Sequence, residues 1–572
     1  MGPATATAST PARRSRRRYR APQDDRAALV EPAWADLLEL LAANRLALEG
    51  RAIDGLGASI AGFAIEARKE LLAKARAFTA SFCDPPPAAD AAAPVLLSGH
   101  QPELFHPGVW FKNFALDALA KSTGGVGLHL LIDSDLCRSP AVRAPTGEVA
   151  APRSIVVPYD GEAEPLPWES RGVASPATLT TFSERLAKAL EGLVAEPLIG
   201  SMSADLIEAA ATSGNLGRAL SAARRRVEGH WGSQTLELPL SAACDTPAFA
   251  RFAGLLIDRI DDVHTAYNSA LAAYRRSHRL RTRAQPLPDL AADGPSREAP
   301  LWVWTAEDPT RRALFVRRLA DGGWELSDRA GGTWAVGAGP LAERTDWADN
   351  LRRRGVRIRS RALATTLYAR LVLGDLFLHG IGGAKYDEVT DELSRRLFGF
   401  APPAHATLSA TVRLPIDYPR VDPGAAVELR AREREMRFHP ELFVDRSHPA
   451  AGRLISAKRA AVAAPVAIGG PNRVRHDRIE RANHALTALL GDERAALEAE
   501  RQALAERQRA AAVLGSREYS LALYPEATLR EAMTRLTAPA LKAAAADALA
   551  ADAPASGASA DAADRSRGTD GD

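Results

Sequence analysis

The sequence predicts an α/β protein with a parallel-sheet core, a helical insert and a C-terminal helical arm. Two strand–loop–helix units are the evidence for this core. In the first, an apolar strand starting at Val95 precedes a helical run from Val109. In the second, a short strand at 376–378 leads into a helix ending near Gly399. A second buried strand at 128–132 follows the first through one helix, which is the spacing of a βαβ unit. Together these units predict a Rossmann-like core.

Length and composition limit the classes of protein. A chain of 572 residues exceeds what one hydrophobic core serves, and about 150 residues per domain predicts three or four units. The net charge of +3 argues against nucleic acid as a partner, and no apolar stretch approaches the ~20 residues of a membrane span. The three cysteines have neither paired nor metal-type spacing, so we expect a cytoplasmic protein with reduced thiols.

Composition shifts divide the chain into segments. Charged and Pro-rich runs mark the ends, and Pro402-Pro403 marks a boundary after the core. The expected segments are a disordered basic arm (1–25), a helical lead-in (26–90), the Rossmann-like core (91–400) with a helical insert near 183–276, a linker (401–425), a helical or coiled-coil arm (426–515), a segment returning to the core as a short strand at 521–525 (516–552) and a disordered tail (553–572).

An apolar seam runs through the C-terminal arm with spacings of 3, 4 and 7, which is typical of a coiled coil. Its members are Ile479, Asn483, Leu486, Leu490, Leu497 and Leu504. Gly491 interrupts the seam and weakens the helix. Two interpretations stay open: a homodimer formed through the seam, or a helical hairpin that packs on the protein's own body.

The loop after the first strand is the leading candidate for a ligand site. It lies at the carboxyl end of a strand and the amino end of a helix, where open α/β sheets bind ligands. Its candidate residues are Gly99, His100, Gln101, His106, Lys112 and Asn113. They suit a phosphate, a carboxylate or a nucleoside, whereas two histidines six residues apart do not form a metal motif. A structural turn with hydrogen-bonded histidines is the alternative.

Two further groups of residues are expected near this loop. Asp133 and Asp135 follow the second strand and could bind Mg²⁺ or sugar hydroxyls or act as an acid/base pair, although either could instead cap a turn. The second group comprises Gly380, Gly382, Gly383, Lys385 and Tyr386 after the late strand, and Arg361 at the end of an arginine-rich run. Its glycines allow close backbone approach but match no nucleotide motif, so packing glycines and a solvated arginine face are the alternatives.

Several motifs together resemble the family of cysteine-adding enzymes of bacillithiol biosynthesis (BshC). They are Ser98-Gly99-His100-Gln101-Pro102-Glu103-Leu104-Phe105, the strand ending in Asp133-Ser134-Asp135, the late glycine loop and the helical C-terminal third. The resemblance implies a Rossmann-like core with inserted helical motifs, a dimerising coiled coil and the joining of cysteine to a malate-bearing glucosamine. His100 stands where that family has Gln, and only Asp133 and Asp135 match its Glu-Asp-His-Asp run.

We therefore expect a ligase or transferase that binds an anionic small molecule between the His100 loop and the Gly382 loop. The backbone at Gly99 and Gly382 would hold the anion, and His100 or His106 would serve as acid or base. Nucleotide and Mg²⁺ are the cofactor candidates, and no dedicated metal site is predicted. The alternative is a non-catalytic metabolite-binding or assembly protein, which uses the same pocket as a sensor.

Overall fold

The computed structural model describes residues 19–551 except 283, 419 and 466–471. The first 18 residues of the expected basic arm and the expected tail lie outside the described residues. Within the described part of the chain, no helix is both long and apolar enough to cross a membrane.

The described residues form 16 β-strands and 18 α-helices. The strands are β1 (Ala27–Glu31), β2 (Val95–His100), β3 (Val126–Leu131), β4 (Leu136–Cys137), β5 (Ala141–Thr146), β6 (Arg153–Pro158), β7 (Leu166–Pro167), β8 (Leu236–Pro239), β9 (Ala292–Asp293), β10 (Ser296–Thr305), β11 (Arg312–Arg318), β12 (Trp324–Ser327), β13 (Thr333–Val336), β14 (Val356–Ser360), β15 (Leu376–His379) and β16 (His405–Thr411). The helices are α1 (Asp36–Ala47), α2 (Ile60–Ala80), α3 (Pro107–Thr123), α4 (Pro176–Thr180), α5 (Phe182–Ala189), α6 (Ile199–Ser213), α7 (Leu216–His230), α8 (Leu240–Cys244), α9 (Pro247–Asp258), α10 (Ile260–His278), α11 (Asp346–Arg353), α12 (Ala362–Tyr368), α13 (Ile381–Phe398), α14 (Ala425–Phe438), α15 (Ala451–Ala463), α16 (Arg473–Thr487), α17 (Gly491–Leu514) and α18 (Glu526–Ala551).

A six-stranded mixed sheet lies at the centre of the fold, in the order β1-β16-β15-β2-β3-β8. Five of its strands are parallel, and β1 at one edge is antiparallel to β16. The inner strands β2 and β15 are apolar and buried on both faces, which is typical of parallel strands covered by helices. The prediction of an α/β fold with parallel strands is confirmed, and the two strand–loop–helix units are neighbours in one sheet because β15 pairs with β2.

Several segment boundaries predicted from composition are wrong. The expected linker at 401–425 contains β16, the helical lead-in at 26–90 begins with β1, and the helical insert contains the edge strand β8. Residues 521–523 form a 3₁₀ turn instead of a strand. The sequence of β16 mixes His, Ala, Thr and Ser with a single Leu, so its burial between neighbours is invisible to a search for apolar runs.

A second, antiparallel sheet follows the helical insert in the order β13-β12-β11-β10-β14, with β9 pairing beside β10. The runs rich in Trp, Leu and Val at 301–305, 314–316 and 324–326 predict strands from the sequence alone, and this sheet contains them. The sequence Ser-Ile-Val-Val-Pro at 154–158 predicts a third strand of the core, but these residues form a hairpin with β5 that is separate from the central sheet.

A buried polar network fixes helix α3 in place. The carboxylate of Glu228 accepts hydrogen bonds from Trp110 Nε1 at 2.5 Å and Asn113 Nδ2 at 2.8 Å, and it pairs with Arg224 at 2.6 Å. Arg224 also pairs with Glu237 of β8. Since α3 carries two of the bonds, its position relative to the sheet is set by charge as well as by packing.

The C-terminal arm is a group of helices that pack on one another within the chain. Leu486 and Leu490 are fully buried in a cluster with Val444 and Ala451, and α14 packs against both α16 and α17. The seam is not one continuous helix, because α16 ends at Thr487 and α17 begins at Gly491. The arm therefore covers these leucines with its own helices, as the hairpin interpretation expects.

Replacing Leu486 with Ala should destabilise the arm by about 2–5 kcal/mol, because it leaves a cavity in a small buried cluster. Hydrogen exchange of the amides of α15 and α16 measures the loss of protection. Val474→Ala on the same helix is the control, since Val474 is 62% exposed and its truncation should change little. Equal effects of the two substitutions would contradict the packing described.

Candidate functional site

A cavity of about 1020 Å³ lies at the carboxyl ends of β2, β3 and β15. Its wall includes the first turns of α3 and α13. Most of the site residues predicted from the sequence line it: Gly99, His100, Gln101, His106, Lys112, Asp135, Arg361, Gly380, Gly382, Gly383, Lys385 and Tyr386. The two loops expected to share a pocket do share one, because their strands are hydrogen-bonded neighbours.

Asp133 and Asn113 do not line the cavity, so their predicted binding roles are corrected. Asp133 is buried and accepts hydrogen bonds from the backbone N–H of Ser241 at 2.8 Å and from its hydroxyl at 2.5 Å. Burial, together with the nearby Glu169, raises the pKa of Asp133 to about 7. Asn113 donates to Glu228 within the network that fixes α3. Asp133 is engaged by Ser241 after β8 and Asn113 by Glu228 of α7, partners that are distant in the chain and that sequence periodicity could not show.

The two loop histidines line the cavity but have structural partners. His106 is the N-cap of α3: its Nδ1 accepts from the backbone N–H of Gly108 at 3.1 Å. His100 Nδ1 lies 3.2 Å from the carbonyl oxygen of Gln101, and its ring packs edge-on against Phe105. Burial lowers the pKa of His100 to about 3 and that of His106 to about 4. Both imidazoles are therefore neutral near pH 7 and weak as bases.

Lys112 brings a buried positive charge to the cavity wall. It lies one turn into α3, is 3% exposed and donates from Nζ to the carbonyl oxygen of Gly99 at 3.0 Å. Burial lowers its pKa to about 8, so the side chain is mostly charged at pH 7 and loses its charge in mildly basic solution.

Two residues of the cavity wall, Trp302 and Arg311, and the wall residue Arg361's partner Glu298 were not singled out from the sequence. Arg311 donates to Asp135 at 2.8 Å and lies 4.4 Å from the centre of the Trp302 ring. Arg361 packs on the same ring at 4.2 Å and pairs with Glu298. Trp302, Arg311 and Glu298 come from β10 and the turn before β11, which the sequence indicated only as strands of a small segment.

Asp135 is held by these neighbours as a charged carboxylate. Gln101 Nε2 donates to one of its oxygens at 2.7 Å while Arg311 donates to the other. Burial would raise the pKa of Asp135, but these hydrogen bonds and the arginine charge outweigh it and lower the pKa. Asp133 is bonded to Ser241 and does not line the cavity, so the two carboxylates expected to share Mg²⁺ do not face it together.

Residues at the amino end of the described chain form part of the cavity mouth. Tyr19, Arg20 and Gln23 line it, and the carbonyl oxygen of Pro22 accepts from the hydroxyl of Thr411 at 2.7 Å. The expectation of disorder for 1–25 is therefore wrong from residue 19 onward.

A buried cluster of imidazole and carboxylate groups adjoins the cavity beneath the first turns of α13. His379 Nε2 and His405 Nδ1 lie 3.0 Å and 3.3 Å from the same oxygen of Asp387, and Arg370 pairs with that carboxylate. Burial raises the pKa of Asp387, but the charge of Arg370 outweighs it and holds the pKa well below its usual range. His379 directly precedes the glycine loop that the sequence singles out, but the cluster spans three elements and has no recognisable spacing.

Neither the models of known protein families nor the curated proteins give a match to this chain.

The stability of the Asp133→Asn variant, compared with that of the wild type at the same pH, should increase as the pH rises. The folded pKa near 7 exceeds the unfolded value of about 3.9, so the folded state binds the proton more tightly and loses stability between these two pH values. An amide does not titrate: its oxygen still accepts from the Ser241 backbone N–H, and its NH₂ donates to the Ser241 hydroxyl oxygen, as a protonated carboxyl would. The melting temperature of the variant minus that of the wild type should be higher at pH 8 than at pH 5.

Asp135→Asn is the matched control for this measurement. The pKa of Asp135 is lowered, so its charged form stabilises the protein at both pH values and its loss should be destabilising at both. A variant at Asp133 that is equally destabilised at pH 5 and pH 8 would contradict the raised pKa.

Proposed function

We propose that the protein is a ligase or transferase with a Rossmann-like core that binds an anionic small molecule in this cavity. The supporting observation is a wall of cationic side chains at the carboxyl ends of parallel strands, where such sheets bind ligands. Lys112, Arg311 and Arg361 line one cavity, and Lys385 is exposed at its edge. The resemblance to the BshC family adds the substrate class: an amino acid such as cysteine and an amino-sugar conjugate that bears a carboxylate.

The cations have different roles in this proposal. Lys112 is anchored by Gly99 and presents a fixed charge at the end of β2, whereas Lys385 is free to follow a ligand. The planar guanidinium of Arg361 is fixed on Trp302 and suits a carboxylate or phosphate. A nucleotide phosphate fits this set of donors better than Mg²⁺ does, because the carboxylate of Asp135 is already occupied by Gln101 and Arg311.

A non-catalytic metabolite-binding protein is the second candidate. The observation that favours it is the state of the two loop histidines, whose ring nitrogens hold the loop and whose pKa values are lowered. With both loop imidazoles neutral and hydrogen-bonded, the pocket offers cations that bind a ligand but no loop histidine that acts as a general base. Isothermal titration with L-malate, a hexosamine phosphate and a nucleoside triphosphate, followed by product analysis, separates the two candidates.

Dimerisation through the arm stays a prediction. Because Leu486 and Leu490 are covered within the chain, a dimer would need to use other faces of α14 to α17. Sedimentation analysis of the wild-type protein at high micromolar concentration tests it.

Replacing Lys112 with Met should weaken binding of the anion found in that screen by about 10- to 100-fold at pH 7, since a charge-assisted contact contributes about 1.5–3 kcal/mol. Wild-type affinity should fall as the pH rises through about 8, where Lys112 loses its proton, and the variant should lack this fall. Lys121→Met on the exposed face of the same helix is the control and should bind as the wild type does. An unchanged affinity in the Lys112 variant would remove this residue from the site.

A further inference from the structure

Three side chains from three separate elements meet beneath the first turns of α13. His379 ends β15, His405 begins β16, and Asp387 lies on the side of α13 that faces the sheet. The parallel pairing of β15 with β16 places Phe377 opposite His405, which brings the two histidines together. One nitrogen of each ring and an oxygen of Asp387 all lie within 4.8 Å of one another.

We propose that His379, Asp387 and His405 form a binding site for a divalent first-row transition metal ion, with Zn²⁺ the best fit. This site goes beyond the anion site proposed above, uses different side chains and does not depend on it. Two imidazoles and one carboxylate are a ligand set that suits Zn²⁺ and its neighbours better than Mg²⁺ or Ca²⁺, which prefer oxygen ligands.

The distances within the cluster fit metal coordination. In a tetrahedral site with bonds of about 2.0–2.1 Å, adjacent ligand atoms lie roughly 3.3 Å apart. The separations from Asp387 Oδ2 are 3.0 Å to His379 Nε2 and 3.3 Å to His405 Nδ1. Small side-chain adjustments would place all three atoms around one ion.

The hydrogen bonding of Asp387 also points to a missing ligand. Arg370 and both histidines crowd around Oδ2, while Oδ1 is buried and has no hydrogen-bond partner in the described structure. A buried carboxylate oxygen without a partner is costly and rare. An ion that the carboxylate binds through both oxygens would keep the contact with Oδ2 and also supply the interaction that Oδ1 lacks.

The charges around the site accommodate a divalent cation. Arg370 pairs with Asp387 and, at 2.7 Å, with Asp391, and it donates to the carbonyl oxygen of Pro403 at 2.8 Å. Two carboxylates and one guanidinium sum to a single negative charge when the imidazoles are neutral. Arg370 keeps Asp387 ionised and oriented, which is the usual role of a residue that supports a metal ligand.

The position of the cluster leaves room for a further ligand. His379 and Asp387 both line the cavity, so an ion held by three protein groups would have a coordination position directed toward bound small molecules. Open sites of this kind are typical of catalytic zinc, whereas structural zinc is enclosed by four protein ligands. The ion would also add positive charge beside Lys112 and Arg361.

Gly383 explains how α13 approaches the cluster so closely. A Cβ at this position would lie 2.6 Å from His379 Nδ1, so any larger residue must displace the imidazole. This glycine has no positive φ and no turn to serve, and contact with the His379 ring accounts for it.

Metal binding to the full-length protein tests the proposal. The protein is stripped with a chelator and titrated with Co²⁺, whose visible absorption reports coordination, and with Zn²⁺ in competition. The wild type should bind one equivalent per chain, and His405→Gln should weaken binding by at least about 100-fold while keeping the wild-type melting temperature. Glutamine retains a donor toward Asp387 but replaces the imidazole ligand.

His439→Gln is the control, because His439 is an exposed histidine of the arm that should leave metal binding unchanged. If His405→Gln fails to fold, His379→Gln is measured in the same way. A wild type that takes up no stoichiometric metal, or a folded His405 variant that binds as tightly as the wild type, would overturn the proposal and leave a purely hydrogen-bonded network. Neither result bears on anion binding, which is measured without metal.

Discussion

The parallel pairing of β2 with β15 is the constraint on which the rest of the site depends. Its register places Leu378 opposite Ser98, so His379 ends beside Gly99 although about 280 residues separate them in the chain. Each strand then turns into a helix on the same edge of the sheet. Without that pairing, the two loops would lie apart. Lys112 and the imidazole–carboxylate cluster would then not share one cavity.

Cationic side chains in the cavity wall are held in place by polar or charged groups of the protein. Lys112 is anchored on a carbonyl oxygen, Arg311 on Asp135 and Arg361 on Glu298. Pairing reduces the cost of burying each cation and holds it in one orientation, so that little reorganisation is needed when an anion enters. The proposed metal site adjoins the same wall from β15 and β16, and an ion there would reinforce the attraction for negative charge.

The sequence predicts those parts of the fold that produce strong local signals. The strands β2, β3 and β15 are short runs rich in Leu, Val and Phe, and the loop at His100 is recognisable from its position between strand and helix. β16 and β1 have no such signal, since their burial comes from neighbours distant in the chain. The same limit applies to the site: Lys112 was found by its place in a motif, whereas Arg311 and His405 join the site only through tertiary pairing.

The way the amino-terminal segment is attached has a practical consequence for anyone preparing this protein. Residues 19–23 form part of the cavity rim, and the segment is tied to the end of β16 by bonds from Thr411 and Arg413 to Pro22 and Asp25. A truncation that starts at the first strand, Ala27, would keep the sheet but take away this part of the rim. Ligand studies on such a shortened chain would describe a wider and differently charged opening than the one that residues 19–23 help to form.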